Sequence, residues 1–145
     1  MSLVEHRRLT MTRRFDASPE RLFDAWTDPN LATRWLFTGP TSQTHSARLD
    51  VRVGGQWVIE DRRGGVDYRA LGEYLEVDRP RRLSFTFGMP QFSAAFSQVT
   101  VEIAADGTGS VMTLIQRDLP AEYVAATEQG WAEMFDALGA ELAKS

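Results

Sequence analysis

From Thr41 to Arg117 the chain runs through short alternating apolar segments broken by turn signals, and from Pro120 onward it reads as one long amphipathic helix. Gln43 to Val51 puts His45, Ala47, Leu49 and Val51 on one face. Gly54-Gly55 turns the chain into Gln56 to Asp61, where Trp57 and Ile59 share a face, and Arg62-Arg63-Gly64-Gly65 forms a second hairpin loop. Val66 to Val77 is long for a single strand, and Gly72 is expected to mark a bulge or bend in it. Leu83, Phe85 and Phe87 alternate with polar residues. Val99, Val101 and Ile103 do the same, as do Met112, Leu114 and Gln116 after a turn at residues 105–109. Hairpins at such short intervals favour an antiparallel meander over βαβ units. In the last segment Val124, Thr127, Trp131, Met134, Leu138 and Leu142 recur at three and four, with Phe135 widening the stripe. A sheet covered on one face by a single helix has to curl around that helix.

The segment before the meander adds the remaining elements. Leu9, Met11 and Phe15 alternate with polar residues, so a half-buried strand is expected, with Arg13 in register on its apolar face. Asp16 or Ser18 caps a helix with Pro19 in its first turn, and Leu22, Phe23 and Trp26 form its apolar face. Asp28-Pro29 ends that helix, and Asp28 can cap a second one, Asn30 to Trp35. The predicted class is α+β: a curved antiparallel sheet of six to seven strands wrapped around a long C-terminal helix, with two short helices between strands 1 and 2. With no linker, repeat or low-complexity stretch, residues 1–145 are expected to form one domain with its core at about 7–143.

Composition narrows the function classes. There is no cysteine, which removes disulfides, thiolate metal sites and a cysteine nucleophile, and fits a cytoplasmic protein. A net charge of -4 argues against nucleic acid as the main partner. No apolar run reaches the roughly 18 to 20 residues of a membrane span, and the polar N-terminus does not read as a secretory signal. Of the 16 basic residues all but Lys144 are arginine, a bias that points to a GC-rich, bacterial source. Two histidines far apart, His6 and His45, cannot build a histidine-rich metal site, and no nucleotide loop, nucleophile elbow or HExxH is present, so no cofactor or metal is expected.

Four pieces in order carry a family resemblance. Arg13-Arg14-Phe15-Asp16-Ala17-Ser18-Pro19 followed by Ala25-Trp26-Thr27-Asp28-Pro29 resembles the signature of the heat-shock-protein-90 ATPase activator-like family. That family belongs to the START/SRPBCC superfamily, which has the birch-pollen-allergen helix-grip fold. Gly54-Gly55-Gln56-Trp57, Gly72-Glu73-Tyr74-Leu75-Glu76-Val77 with Pro80 and Leu83, and Glu128-Gln129-Gly130-Trp131 are similar to three further family segments. The chain departs from the family pattern at Arg34-Trp35-Leu36-Phe37-Thr38-Gly39-Pro40, which is two residues longer than the usual Arg-Trp-Trp-Gly-Pro. It departs again at Gln116, where many members carry histidine. The resemblance implies a hollow between sheet and helix that takes up a small, mostly hydrophobic or aromatic ligand. A polyketide cyclase or aromatase-like enzyme using the same hollow is the alternative, and a chaperone-interacting role the second. Enzymatic activity is the less favoured expectation, with no catalytic residue assigned, and a homodimer through a strand edge or helix stays open.

The expected ligand-facing set is Arg13, Trp35, Phe37, His45, Trp57, Tyr68, Phe85, Phe87, Met112, Gln116, Trp131, Met134 and Phe135, with Phe96 a further ring for the wall. Tryptophan and tyrosine suit such walls, bringing large apolar area with one polar handle. Arg13 requires a carboxylate partner or a ligand anion if it points inward, and Glu133, Glu73 and Glu60 are the candidates. Gln116 is expected either to orient a polar ligand group or to sit in water at its strand end. His45 shares an apolar face, where a lone histidine is usually a core or rim residue. Glu60 and Asp61 point to opposite faces of their strand and cannot act as a pair on one substrate, and Glu60, Asp61, Glu73 and Glu76 are expected at the solvated surface.

Overall fold

The computed structural model describes residues 6–37, 42–90 and 96–144, with residues 6 and 42–45 followed in the backbone alone. Strand β1 (His6–Phe15) leads into helices α1 (Pro19–Thr27) and α2 (Pro29–Ala32). Then come β2 (Ser42–Leu49), β3 (Gln56–Arg63), β4 (Val66–Asp78), β5 (Arg82–Phe87), β6 (Ser97–Asp106), β7 (Gly109–Pro120) and helix α3 (Val124–Leu142). The strands form one antiparallel sheet in the order β1-β7-β6-β5-β4-β3-β2. Strands β2 to β7 are therefore a meander, and β1 is added to the β7 edge. This is the expected α+β helix-grip architecture: a curved sheet around α3.

Local chemistry explains the boundaries. The Ser18 side chain accepts from the Arg21 N–H at 3.2 Å and caps α1, with Pro19 where its missing N–H costs nothing. Asp28 serves twice: its own N–H closes α1 on the Asp24 carbonyl, and its carboxylate accepts from the Asn30 N–H at 2.9 Å to open α2. Helix α2 is shorter than the sequence pattern predicted. It stops at Ala32, and turns carry the chain through Trp35 to Phe37, where the backbone takes a left-handed φ of 55°. The β3–β4 hairpin turns on Gly64-Gly65, both at positive φ (56° and 80°), as a two-residue loop of this twist requires.

Strand β4 corrects one expectation. Its register shifts between Tyr74 and Glu76, so the bulge lies at Leu75 and not at Gly72. Gly72 is there for another reason. A methyl group at its α-carbon would lie 1.8 Å from the Thr86 carbonyl oxygen, so a side chain would have to push β5 away. That same carbonyl accepts the Trp57 indole N–H at 3.1 Å.

The core fills the space between the concave sheet face and the helices. Leu83, Phe85, Val99, Val101, Ile103, Met112 and Leu114 come from the sheet; Trp26, Trp131, Phe135 and Leu138 come from the helices. Arg21 ties α1 to the end of α3 through the Leu142 carbonyl (2.9 Å), and Arg79 holds Asp24 of α1 with two bonds of 3.0 Å. Among the described residues no helix is long and apolar enough to cross a membrane.

Candidate functional site

The interior divides into a closed centre and an aromatic mouth. At the centre Trp26 of α1 meets Trp35 edge-on at 4.7 Å and Trp131 of α3 at 5.8 Å. Each indole N–H has an acceptor: Trp35 donates to the Ala25 carbonyl at 2.9 Å, Trp26 to the Met112 sulfur at 3.3 Å, and Trp131 to Gln116 Oε1 at 2.8 Å. Gln116 is fully buried, which settles its direction as inward. Its Nε2 donates to Ser97 Oγ at 2.7 Å, so both ends of the amide are engaged. Phe135 packs on Trp131 at 5.7 Å and edge-on to Phe15 at 6.4 Å.

At the mouth the Phe37 ring lies nearly parallel to both Trp57 (5.4 Å, 10°) and Phe87 (5.0 Å, 24°), which also stack on each other at 6.4 Å, with Trp131 5.6 Å away. Phe85 meets Trp57 edge-on at 5.4 Å and backs this group. The Phe37 N–H donates to the Met134 sulfur at 3.0 Å, and its carbonyl accepts from Arg63 Nη2 at 3.3 Å. Arg63 in turn donates through Nε to Asp61 and lies over the Tyr68 ring at 5.3 Å. Phe87, Arg63 and Tyr68 are only half-buried, so this end borders solvent.

Among the described residues, the hollow expected from the sequence is filled by the chain's own side chains. What remains is about 10 Å³, bounded by Trp26, Leu36, Phe37, Leu49, Trp57, Tyr74, Leu83 and Phe85. That is close to the room one water needs and far below the roughly 300–1,000 Å³ of ligand pockets. The filling residues Leu36 and Phe37 are the ones by which this chain departs from the usual family segment. A wider depression of about 730 Å³ opens around the β4–β5 turn. Its arginines are already claimed: Arg79 by Asp24, Arg81 by Asp78, and Arg82 by Glu76 and Glu102.

Other expectations need correcting. Arg13 is in the inward register, but it sits on the edge strand. Its guanidinium passes over the Phe135 ring at 5.6 Å and reaches Asp136 at 2.7 Å, a partner outside the candidates Glu133, Glu73 and Glu60. Phe96 is 47% exposed instead of facing the interior. Asp61, expected at the surface, is 3% exposed, because β3 continues past it to Arg63 and keeps the Trp57–Ile59 parity. The Trp57–Ile59 alternation already reaches Asp61, and two further residues bring Arg63 to the same face; the glycines that follow make Arg63 read as loop. The side chains of His45 and His6 lie outside the described residues; the His45 backbone pairs with Asp61, and Asp61 pairs with Tyr68. Arg13, Gln116 and Tyr68, the polar groups expected to face a ligand, do not share one set of partners. Arg13 is held by Asp136, Gln116 by Trp131 and Ser97, and Tyr68 lies under Arg63.

The family model for Activator of Hsp90 ATPase homolog 1-like protein matches residues 16–143. No curated protein matches the chain in sequence. Among solved structures it is similar to SA2116 from Staphylococcus aureus, a protein of unknown function. There the identity is 25%, with 96% of this chain and 94% of that chain covered and a TM-score of 0.82. Mll3558 from Rhizobium loti shares 26% identity over 97% and 100% of the two chains, with a TM-score of 0.79. CV1439 from Chromobacterium violaceum shares 22% over 95% and 98%, with a TM-score of 0.82.

Proposed function

The chain belongs to the Activator of Hsp90 ATPase homolog 1-like family, and on that premise we propose that it binds a small, mostly hydrophobic, aromatic molecule between the sheet and α3, in the place now taken by the Phe37 ring. The observation that carries this reading is Phe37 itself. A bulky side chain at φ 55° is conformationally strained, at a cost on the order of 1–3 kcal/mol. Against that stand burial of the ring, worth about 1.5–3 kcal/mol, and aromatic contacts worth about 0.5–1.5 kcal/mol each. The Phe37 N–H adds little, since a thioether is a weak acceptor, and the bond its carbonyl accepts from Arg63 adds about 1.5–3 kcal/mol. The balance is a few kcal/mol, which a ligand of ordinary affinity can overcome. The ring is a removable filler, in a position whose walls, Trp57, Phe87 and Trp131, accept any flat apolar group of similar size.

The partner in this reading is a small molecule met in the cytoplasm. The test is a titration of the intact protein and of Phe37→Ala with hydrophobic dyes, fatty acids and small aromatic compounds, followed by melting temperature and tryptophan fluorescence. Saturable binding to the unmodified chain is expected, tightened at least tenfold by Phe37→Ala because the filler no longer competes. If the unmodified chain binds none of these while staying folded, the reading fails.

A further inference from the structure

Phe37 presents two features to the mouth, a ring and an oxygen. The ring stacks against both Trp57 and Phe87, and the carbonyl accepts from Arg63 at 3.3 Å. Within the residue, the ring and the carbonyl carbon are separated by two carbons, Cβ and Cα. Resting on the reading above, we infer that the segment is an internal stand-in for the ligand, and that the ligand class is an aryl ring joined through two carbons to a neutral carbonyl group, with Arg63 as the residue that selects it.

The neutral carbonyl follows from the charges around Arg63. Its Nε is committed to Asp61, which is 3% exposed, so the pair is electrically balanced. A ligand carboxylate at Nη2 would approach the buried Asp61 carboxylate and set two like charges close together. A ketone or amide oxygen needs only the one donor that Phe37 now occupies. Tyr68, under the guanidinium at 5.3 Å, keeps its plane in place, so the donor is aimed before the ligand arrives. When the ligand enters, the Arg63–Asp61 pair and the walls stay as they are, and one ring and one acceptor replace another.

Three probes of nearly equal length separate the possibilities: 4-phenylbutan-2-one, 3-phenylpropanoate and butylbenzene, each titrated into the folded chain and into Phe37→Gly. Partitioning alone ranks butylbenzene first, because it is the least polar. The inference expects the reverse, with the ketone roughly tenfold tighter than butylbenzene, the size of one hydrogen bond from a charged donor. It also expects the carboxylate to be weakest. In Arg63→Met the order returns to that of partitioning. Arg63→Lys, which keeps a donor should the methionine variant not fold, retains part of the ketone preference. Butylbenzene binding as tightly as the ketone overturns the carbonyl assignment and leaves the apolar site standing. Tightest binding by the carboxylate overturns the charge argument. No binding of any probe to either protein overturns the site itself.

Discussion

Trp26 and Phe37 are both aromatic and both buried, yet the chain holds them by different means. Trp26 lies on a regular, capped helix. Two other tryptophans surround it, and it is 2% exposed. Phe37 lies where the chain has left α2, in a left-handed conformation that its own side chain disfavours. At the first position local backbone preference and burial agree. At the second they oppose each other, and burial wins by a small margin. On the proposed reading the core contains a permanent part and a replaceable part of similar appearance, which backbone conformation tells apart better than exposure does.

The largest test of that contrast is a pair of substitutions at each site, read by chemical denaturation. Trp26→Ala removes a ring from a closed space and is expected to cost about 3–5 kcal/mol. Trp26→Gly should cost about 1 kcal/mol more, as glycine does inside a helix. Phe37→Ala borders solvent, so water can refill the space, and the expected cost is the transfer term alone, about 1.5–3 kcal/mol. Phe37→Gly should be no worse than alanine and up to about 1 kcal/mol better, because glycine accepts a positive φ. The same Gly-over-Ala order at both sites would erase the contrast.

A smaller effect is expected where the centre keeps a polar link. Gln116→Leu leaves the Trp131 N–H without its acceptor and Ser97 without its donor. The expected loss is about 1–3 kcal/mol, with the Trp131 signal in near-ultraviolet circular dichroism weakened. Unchanged stability would mean that the amide is not what seats Trp131.

The smallest effect concerns Tyr74, on the border between the two regions. Burial pushes its phenol well above the ordinary value, and the Asp50 carboxylate adds to this. The unfolded chain ionises its tyrosine near pH 10 while the folded one keeps the proton, so stability from this group is complete below pH 10 and falls as pH rises past it. Tyr74→Phe should change little at neutral pH and flatten the alkaline fall of the stability curve. An alkaline limb identical to that of the unmodified chain would remove Tyr74 from the border.

Much of the architecture was legible because it is periodic. Alternation placed Phe85, Val101, Met112 and Gln116 inward, and a three-four spacing put Trp131, Phe135 and Leu138 on one helix face. The site was less legible because it depends on departures from period. Phe37 belongs to an irregular turn, so nothing in its spacing shows that its ring returns to the interior. Arg13 has the register of a buried residue, but an edge strand lets a long side chain reach solvent and meet Asp136. Arg63 was missed because the glycines after it mark a hairpin and the strand reads as ending two residues early, at Asp61; Asp61 lay within the strand but, as a carboxylate, was expected in solvent. His45 was placed on an apolar face by the same parity, and its side chain lies outside the described residues.

The sheet order has a consequence in time as well as in space. Every strand from β2 to β6 pairs with its immediate successor, so those ladders can form soon after each hairpin is made. Strand β1 pairs only with β7, and Thr12 meets Thr113 across 101 residues of chain. On a ribosome β1 is synthesised first and its partner last, and closing so long a loop adds an entropic cost that the local hairpins do not face. Until Gly109–Pro120 is synthesised, the nascent chain carries an amphipathic strand with no ladder to join, and the sheet that grips α3 can be completed only just before α3 itself is made.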